Sequence, residues 1–301
     1  MKKQKIIVTG GAGFIGSNVV DELVVRGFDV HVIDNLSGGK KEQVNKDATL
    51  HVLDITNLES IEKIFDGAKY VFHLAALPRV QYSIEHPTET QKTNVTGTLN
   101  VLMAAHKAGV EKVIYSASSS VYGDQDKMPL EEDMKASQKS PYGLEKYIGE
   151  LYCRLWNEVY GLKTVCLRYF NVYGPRQSDE GAYALVIAKF LKQKREGKPL
   201  TITGDGEQTR DFTHVRDVVQ ANMLAMESQN VGAGEVINIG SGKNYSVNNI
   251  AELIGGPVEH IAPRLEPKHT LADILRAKKL LGWQPSVVFE EGIAELKKLY
   301  I

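Results

Sequence analysis

The most informative segment of the chain reads Ile6-Ile7-Val8-Thr9-Gly10-Gly11-Ala12-Gly13-Phe14-Ile15-Gly16-Ser17. Its apolar start is too short for anything but a buried strand, and apolar residues at helical spacing follow the glycines. A second apolar run, at 30–33, ends in Asp34. The order of strand, glycine-rich turn, helix, strand and acid predicts the first βαβ unit of a parallel α/β sheet.

Glycine spacing in this turn indicates dinucleotide binding. Gly11, Gly13 and Gly16 fit the pattern G-x-G-x-x-G, and Gly10 begins a second pattern with Gly13 and Gly16. Because glycine has no Cβ atom, the turn can be tight and its backbone can touch a pyrophosphate, which the N-terminus of the helix attracts. The alternative is a tight structural turn in some other α/β protein.

Asp34 stands where a carboxylate binds a ribose 2′-hydroxyl in such units. Because a carboxylate repels a 2′-phosphate, the sequence favours NAD over NADP. Lys40 and Lys41 lie close enough in sequence to leave NADP as an alternative.

Composition restricts the class of protein. The 301 residues are enough for one large α/β domain with a smaller lobe. The net charge is −1, so no basic surface suggests nucleic acid or anionic lipid as a partner. No apolar run approaches the roughly 18 residues of a membrane helix. Cys153 and Cys166 are too few for a zinc site or a disulfide framework, so we expect buried thiols, no metal and a cytoplasmic protein.

Strand and helix patterns alternate up to about residue 170, which predicts a Rossmann-like, doubly wound parallel sheet with helices on both faces. Turn residues and short elements break this rhythm from residue 171 onward. We therefore expect a dinucleotide-binding domain of residues 1–170 and 211–240, and a smaller C-terminal substrate lobe of residues 171–210 and 241–301. After the first βαβ unit, strands are predicted at 50–53, 70–74, 112–115, 164–167, 200–202 and 235–239. Helices are predicted at 88–108, 141–159, 181–195 and 214–228, and short helices at 58–65, 247–254, 272–281 and 289–299.

Tyr142 and Lys146 are spaced i and i+4 and share one face of a predicted helix. A cation within about 4–6 Å of a phenol favours the phenolate, so such a tyrosine can act as a base on a substrate hydroxyl. By itself the spacing is more often that of a surface pair. However, Ser118, Ser119 and Ser120 follow the fifth predicted strand, and ligands of open α/β sheets bind outside the carboxyl ends of the strands.

The chain combines a glycine-rich turn, a serine at a strand end and a Tyr-x-x-x-Lys pair. In this combination it resembles the extended short-chain dehydrogenase/reductase family. Within that family the chain is similar, over essentially its whole length, to UDP-glucose 4-epimerases, and most of all to UDP-N-acetylglucosamine 4-epimerases. The segments that carry this resemblance are 9–17, 34–37, 73–76, 118–123, 141–146, 168–174, 176–184 and 210–212.

The resemblance implies a UDP-hexose 4-epimerase with tightly bound NAD. Tyr142 would take the proton from the sugar 4-hydroxyl while the hydride of C4 passes to the coenzyme, and hydride would return to the other face of the rotated 4-keto sugar. Lys146 would also hold the nicotinamide ribose. Ser118 would hydrogen-bond the sugar oxygen, a role that Ser119 or Ser120 could share. The implied NAD-binding residues are Gly10, Gly13, Phe14, Ile15, Gly16, Asp34, Asn35, Ser37, Gly38, Asp54, Ile55, Leu74, Ala75, Ala76, Asn94, Ser116, Tyr142, Lys146 and Tyr169.

The same resemblance implies how a UDP-sugar would be bound. Arg210, Arg264 and Asn171 would hold the diphosphate, and the strand at 200–202 would border the uracil. Thr270 is small and would leave room for an N-acetyl group, so we expect UDP-GlcNAc and UDP-GalNAc to be accepted beside UDP-Glc and UDP-Gal. The implied substrate-binding residues are Ser118, Ser119, Ser120, Tyr142, Asn171, Leu200, Thr201, Ile202, Arg210, Arg264 and Thr270.

Other functions of the same fold stay open. Sugar 4,6-dehydratases of this family carry acidic residues where Ser119 and Ser120 stand, and UDP-glucuronate decarboxylases keep one of them, so the sequence favours a redox step at C4 alone. UDP-glucuronate 4-epimerases share the serine run but usually show Thr in place of Asn171. A non-catalytic NAD-binding protein is the alternative from another class.

Family members are commonly homodimers that pair through the helix of the catalytic tyrosine. Leu151, Leu155 and Val159 lie at helical spacing after Tyr142. They would line such a face or, alternatively, pack on the sheet of their own chain.

Overall fold

A seven-stranded sheet whose strands all run parallel forms the centre of the molecule. The structure, a computed structural model, describes residues 3–179, 185–263 and 268–301. The strand order in the central sheet is β11-β6-β5-β4-β1-β2-β3. The strands are β1 (Lys5–Thr9), β2 (Asp29–Asp34), β3 (Thr49–Val52), β4 (Ala68–His73), β5 (Lys112–Ser118), β6 (Lys163–Tyr169), β7 (Val172–Tyr173), β8 (Leu200–Thr203), β9 (Thr209–Asp211), β10 (Thr213–His214), β11 (Ala233–Ile239), β12 (Asn244–Ser246) and β13 (Val258–Ile261).

The helices follow the predicted pattern with two differences. A short helix at Val80–Glu85 was not predicted, and the helix expected at 88–108 contains a π-helical stretch at Lys92–Gly97. The predicted start of the helix at 181–195 falls partly on residues 180–184, which lie outside the described residues. The helices are α1 (Phe14–Val25), α2 (Leu58–Ile61), α3 (Val80–Glu85), α4 (Pro87–Gln91), α5 (Thr98–Lys107), α6 (Pro141–Tyr160), α7 (Val186–Arg195), α8 (Val215–Glu227), α9 (Val247–Ile254), α10 (Leu275–Leu281) and α11 (Phe289–Tyr300).

Both faces of the central sheet are covered, as predicted for a doubly wound fold. Side chains along a strand point alternately to opposite faces. Ile6 and Val8 therefore join the core beneath α1 and α8, while Ile7 joins the core beneath α5 and α6. Burial on both faces explains why these strands read as continuous apolar runs rather than alternating ones.

The smaller lobe has its own apolar core, formed by residues of α7, β8, α9 and α11, among them Phe190, Ile202, Ile250 and Ile293. Residues of α10, which was expected in this lobe, pack instead in the core beneath α8, whereas α11 contributes to the core of the lobe. Trp283 is fully buried in the core beneath α8, together with apolar residues of α10, and its indole N–H donates to the Asp217 carbonyl at 2.9 Å. The apolar core beside the main sheet buries the large indole ring of Trp283. The remaining domain boundaries stay a prediction.

Lys112, the first residue of β5, ties the sheet to the end of α8. Its buried ammonium donates to the carbonyls of Ala225 at 3.1 Å, Met226 at 3.2 Å and Ser228 at 2.6 Å. Carbonyls at a helix C-terminus lack intrahelical donors and carry partial negative charge. Lys112 therefore satisfies the end of α8 from a neighbouring strand.

Replacing Lys112 with Met should lower the free energy of unfolding by about 2–4 kcal/mol, because buried carbonyl oxygens lose their donors. Denaturant unfolding followed by circular dichroism measures this loss. Lys107→Met is the control, since it breaks only the exposed ion pair with Glu62 and should cost less than about 1 kcal/mol. Equal losses in the two variants would contradict the capping role.

Candidate active site

A cavity of about 920 Å³ opens at the carboxyl ends of the central strands, where α7 and α11 of the smaller lobe close over it. This is the edge at which parallel α/β sheets bind ligands. The structure brings most of the sequence-predicted site residues together here. Those that line the cavity are Gly10, Gly13, Phe14, Ile15, Gly16, Asp34, Asn35, Ser37, Gly38, Ile55, Leu74, Ala75, Ala76, Ser116, Ser118, Ser119, Ser120, Tyr142, Lys146, Tyr169 and Asn171.

The glycine turn is packed too tightly for side chains. A Cβ atom on Gly10 would lie 2.5 Å from the Ala75 nitrogen, and one on Gly16 would lie 2.1 Å from the Gly10 carbonyl oxygen. Gly10 also has a φ of 73°, which favours glycine. Gly13 caps α1 without a side-chain hydrogen bond. The bare backbone at the start of α1 therefore lines the cavity and fits a pyrophosphate group.

Asp34 is held rigidly at the end of β2. Its carboxylate accepts from the backbone N–H groups of Ala12 at 3.0 Å and Leu36 at 2.8 Å. These two bonds place the carboxylate at the cavity wall beside the glycine turn, where it still has lone pairs for ribose hydroxyls. Asp54, also expected to bind NAD, is not among the lining residues. Its carboxylate accepts instead from the Thr56 N–H and the Asn35 side-chain amide.

Tyr142 lies in the first turn of α6, which Ser140 caps by accepting from the Gly143 N–H at 3.1 Å. The backbone N–H of Tyr142 donates to Ser83 Oγ at 3.0 Å, so α3 and α6 are joined at this residue. Ser118 ends β5; its hydroxyl donates to Ser120 Oγ at 3.1 Å, and its side chain acts to lower the pKa of Tyr142 against the effect of burial. The structure therefore brings Ser118, of the three serines, to the tyrosine.

Lys146 is buried one turn after Tyr142. Its ammonium donates to the Ser116 carbonyl at 2.9 Å and lies 5.1 Å from the ring centre of Tyr115. Burial lowers the pKa of Lys146 to about 8, an effect that the neighbouring Glu145 carboxylate opposes. The ammonium is thus fixed at the cavity wall and is charged at neutral pH.

The expected action of Lys146 on Tyr142 stays a prediction. Burial raises the pKa of Tyr142, while the hydrogen bond from Ser118 and the charge of Arg79 act in the opposite direction. Lys146 directs its ammonium to the end of β5 instead. Sequence reasoning did not single out Arg79, which lines the same cavity.

Glu145 is a second residue that the sequence analysis missed. It is buried, and its carboxylate accepts from Thr90 Oγ1 and Asn94 Nδ2, each at 2.7 Å. Asn94 also pairs with the backbone N–H and carbonyl of Leu77 at 2.8 and 3.1 Å. The Asn94 amide thus joins α6 to the loop after β4, and Asn94 is not among the lining residues, so its expected contact with NAD stays a prediction. The sequence signal that could have identified Glu145 is its position inside the Tyr-x-x-x-Lys motif, where it is the acidic residue.

The expected nucleotide-binding strand does not reach the cavity. Leu200 and Ile202 are buried in the core of the smaller lobe, and Thr201 pairs with Gln193 through its N–H and hydroxyl. Arg210 donates to the carbonyls of Thr209 at 2.9 Å and Lys268 at 3.3 Å and is likewise not among the lining residues.

Three further residues were expected to bind the substrate, and each has a different place relative to the cavity. Asn171 lines the cavity, but its amide donates to the Asp211 carbonyl at 2.8 Å rather than pointing freely at a ligand. Thr270 is not a lining residue, and its hydroxyl accepts from the Asp211 N–H at 3.3 Å. Arg264 lies outside the described residues.

His73 ends β4 beneath the glycine turn and is fully buried. Its ring nitrogens lie 2.7 Å from Thr9 Oγ1 and 2.9 Å from Thr98 Oγ1. Burial, together with the charge of Lys146, lowers the pKa of His73 to about 3. The ring is neutral at pH 7 and joins the first strand to α5.

Within the described ranges, no helix is long and apolar enough to cross a membrane.

Comparison with known proteins yields close matches over nearly the whole chain. The model of the NAD dependent epimerase/dehydratase family matches residues 6–240. A crystal structure of UDP-glucose 4-epimerase from Thermotoga maritima with UDP-glucose is 42% identical, with a TM-score of 0.94 over 99% of this chain and 98% of that one. UDP-N-acetylglucosamine 4-epimerase from Methanobrevibacter ruminantium M1, in complex with UDP-N-acetylmuramic acid, is 39% identical, with a TM-score of 0.93 over 99% and 98%. A UDP-N-acetyl-alpha-D-glucosaminuronate decarboxylase of Bacillus cytotoxicus is 35% identical over 97% of this chain and 96% of its own length.

The neutral state of His73 makes stability depend on pH. Its pKa is lower in the folded chain than the value of about 6.5 expected when unfolded, so stability is lost as pH falls below that value. Between pH 7 and pH 5, His73 alone should lower the free energy of unfolding by about 2 kcal/mol. Urea unfolding at a series of pH values measures the slope. His73→Gln should flatten it, whereas His106→Gln, a change at an exposed ring, should not. An unchanged slope in His73→Gln would contradict the assignment.

Proposed function

The chain belongs to the NAD dependent epimerase/dehydratase family, and from this premise we propose that it is a UDP-hexose 4-epimerase. NAD is its cofactor. The observation that carries the proposal is the grouping of Tyr142, Ser118 and Lys146 on the same cavity as the glycine turn and Asp34. NAD bound there would accept hydride from C4 of the sugar and give it back. Net oxidation is zero, so the coenzyme can stay bound.

Each residue of the group has a task that its surroundings support. Tyr142 would remove the proton of the sugar 4-hydroxyl and later return it, because its hydroxyl is the acid–base group at the cavity wall. Ser118 would hold the same sugar oxygen through its hydroxyl, which lines the cavity with Tyr142. Lys146, charged and fixed by Ser116, would hold the nicotinamide ribose and favour the phenolate once that ligand is in place.

Charge in the cavity favours epimerisation over loss of water. Among the described lining residues the acids are Asp34 and Asp179. Asp34 accepts from backbone N–H groups beside the glycine turn, and Asp179 forms an ion pair with Arg195 at 2.8 Å. Ser119 and Ser120 stand where dehydratases of the family carry acids. No described acid beside Tyr142 in the cavity is available to protonate a leaving hydroxyl. A decarboxylase is the second candidate, because a relative of that description is 35% identical.

The sugars we propose are UDP-Glc and UDP-Gal, with UDP-GlcNAc and UDP-GalNAc also accepted. Support comes from solved relatives at 42% and 39% identity described as UDP-glucose and UDP-N-acetylglucosamine 4-epimerases. The small Thr270 as a gate for the N-acetyl group, and Arg210, Arg264 and Asn171 as diphosphate ligands, stay predictions. Cytoplasmic location stays a prediction as well.

We also propose that two copies of the chain pair through α6. Leu144, Leu151, Leu155 and Val159 are 48%, 37%, 43% and 61% exposed, so they do not pack on the sheet of their own chain. A groove of about 370 Å³ between α4, Val95 and α6 borders this face. Apolar side chains in a row on one helix are typical of a face that a second copy covers.

Purified protein, incubated without added coenzyme, should interconvert UDP-Glc with UDP-Gal and UDP-GlcNAc with UDP-GalNAc. Chromatography and mass spectrometry identify the products, since epimers keep the substrate mass and decarboxylation or dehydration does not. Tyr142→Phe should lower kcat by at least about 1,000-fold, because no group remains to move the proton. Tyr160→Phe is the control, an exposed tyrosine on the same helix. A mass loss, or full activity in Tyr142→Phe, would contradict the proposal.

Leu155→Glu should convert a dimer into a monomer, because it places a charge inside the shared apolar face. Light scattering coupled to size-exclusion chromatography measures the mass. Leu299→Glu, at a leucine of α11 that is 57% exposed, is the matched control and should stay dimeric. A wild-type monomer, or equal behaviour of the two variants, would overturn this interface.

A further inference from the structure

The start of α6 needs hydrogen-bond acceptors from outside the helix, because the first N–H groups of a helix have no partner within it. Pro141, the first residue, has no N–H group. The Gly143 N–H donates to Ser140 Oγ at 3.1 Å, so its acceptor comes from the residue just before the helix. The N–H of Tyr142 donates instead to Ser83 Oγ at 3.0 Å, and Ser83 belongs to α3, 59 residues earlier in the chain.

The hydroxyl of Ser83 has a fixed orientation. Ser83 is fully buried, and its Oγ donates to the Val80 carbonyl at 2.7 Å. A serine hydroxyl carries one hydrogen and two acceptor lone pairs. Since the hydrogen is used for Val80, the oxygen acts toward Tyr142 as an acceptor. The two bonds therefore join the backbone of Tyr142 to the backbone of α3 through one side chain.

The helix that carries Ser83 is itself part of the cavity wall. Val80 and Gln81, in the first turn of α3, line the cavity that Tyr142 also lines. α3 packs against α6. Ser83 thus couples the position of Tyr142 to that of the wall which a bound sugar would touch.

A second contact at the start of α6 comes from the serine segment at 118–120. A Cβ atom on Gly143 would lie 2.6 Å from the Ser120 carbonyl oxygen, so the helix and this segment touch closely. Ser120 in turn donates its N–H to Ser118 Oγ at 3.2 Å. The first turn of α6 is thus held by α3 through Ser83, and by the segment that carries Ser118 through Gly143. Without the Ser83 hydroxyl, the Tyr142 N–H would lose its acceptor while the second contact stays.

We propose that Ser83 is a positioning residue that holds the Tyr142 backbone, and with it the phenol, where proton transfer to and from the sugar requires it. A displacement of about 1 Å can cost about 100-fold in rate, because the reacting atoms must be aligned in the transition state. Ser83 is not among the described residues that line the cavity, so its loss should slow the chemical step and leave binding of the UDP-sugar nearly unchanged. The inference rests on the proposed function, since it assigns the proton transfer to Tyr142.

The kinetic test compares the NAD-bound wild type with Ser83→Ala and Ser83→Cys on the UDP-sugar that the wild type epimerises fastest. Rates are expressed per bound NAD, which removes the effect of any unfolded fraction. In Ser83→Ala, kcat should fall about 10- to 100-fold while KM stays within about twofold, because the bond affects alignment rather than binding. A thiol has nearly the volume of the hydroxyl but is a weak acceptor, so kcat of Ser83→Cys should lie between the other two values.

Ser140→Ala is the matched control, because it removes the hydroxyl acceptor of the neighbouring N–H in the same helical turn. It should lower the midpoint of thermal unfolding by a similar amount and keep most of the wild-type kcat. The inference would be overturned by full kcat in Ser83→Ala or in Ser83→Cys, by equal losses of kcat in Ser83→Ala and Ser140→Ala, or by a loss confined to KM.

Amide hydrogen exchange separates this inference from the proposed function. Selective labelling of the 13 tyrosines with ¹⁵N gives one backbone N–H signal for each, and the signal absent in Tyr142→Phe identifies Tyr142. This N–H should exchange slowly in the wild type and in Ser140→Ala, and faster in Ser83→Ala. Protection that depends on Ser83, in a protein without epimerase activity, would support the hold of Ser83 on Tyr142 and contradict the epimerase. Epimerase activity that is unchanged in Ser83→Ala would contradict the positioning role and leave the epimerase in place.

Discussion

The ammonium group of Lys146 lies inside the protein and donates to the carbonyl of Ser116, close to the end of β5. A buried charge is costly unless it is paired, so this bond and the nearby Glu145 carboxylate offset the loss of hydration. The bond holds α6 against the sheet, and Gly149 allows the close approach, because a Cβ atom there would lie 2.1 Å from the Tyr115 hydroxyl. The positions of Tyr142 and of the cavity wall both follow from this contact.

A second buried pair holds α6 one turn further on. Glu150 accepts two hydrogen bonds from Arg168 of β6, at 2.8 and 2.7 Å, and the guanidinium also lies 4.6 Å from the ring centre of Tyr122. Separating the partners of such a pair leaves an uncompensated buried charge. Geometries in which Glu150 and Arg168 do not meet are therefore strongly disfavoured. Rigid attachment of α6 suits the reaction proposed above, in which the Tyr142 phenol must meet one hydroxyl.

Two carboxylates that accept several hydrogen bonds also join the smaller lobe to the main sheet. The buried carboxylate of Asp211 accepts from the N–H groups of Ser241, Gly242 and Ala272, and Asp217 accepts from Ser286 and Val287. Each carboxylate thus satisfies backbone donors from segments that are far from it in sequence. These bonds position the C-terminal segments that complete the lobe above the cavity, and they explain why α10 and Trp283 return to the main sheet.

The chain's linear pattern was enough for the parallel sheet, the glycine turn, Asp34 and the Tyr142–Lys146 pair. These features depend on local periodicity and on residues a few positions apart, and backbone sterics act over the same distance. The same pattern did not reveal α3, the roles of Asn94 and Glu145, or the burial of Leu200 and Ile202. Those depend on hydrogen bonds and packing between residues from distant parts of the chain, such as Leu77, Asn94 and Glu145. The direction of the pKa shift of Tyr142 was likewise decided by tertiary structure, because burial exists only once the chain has folded.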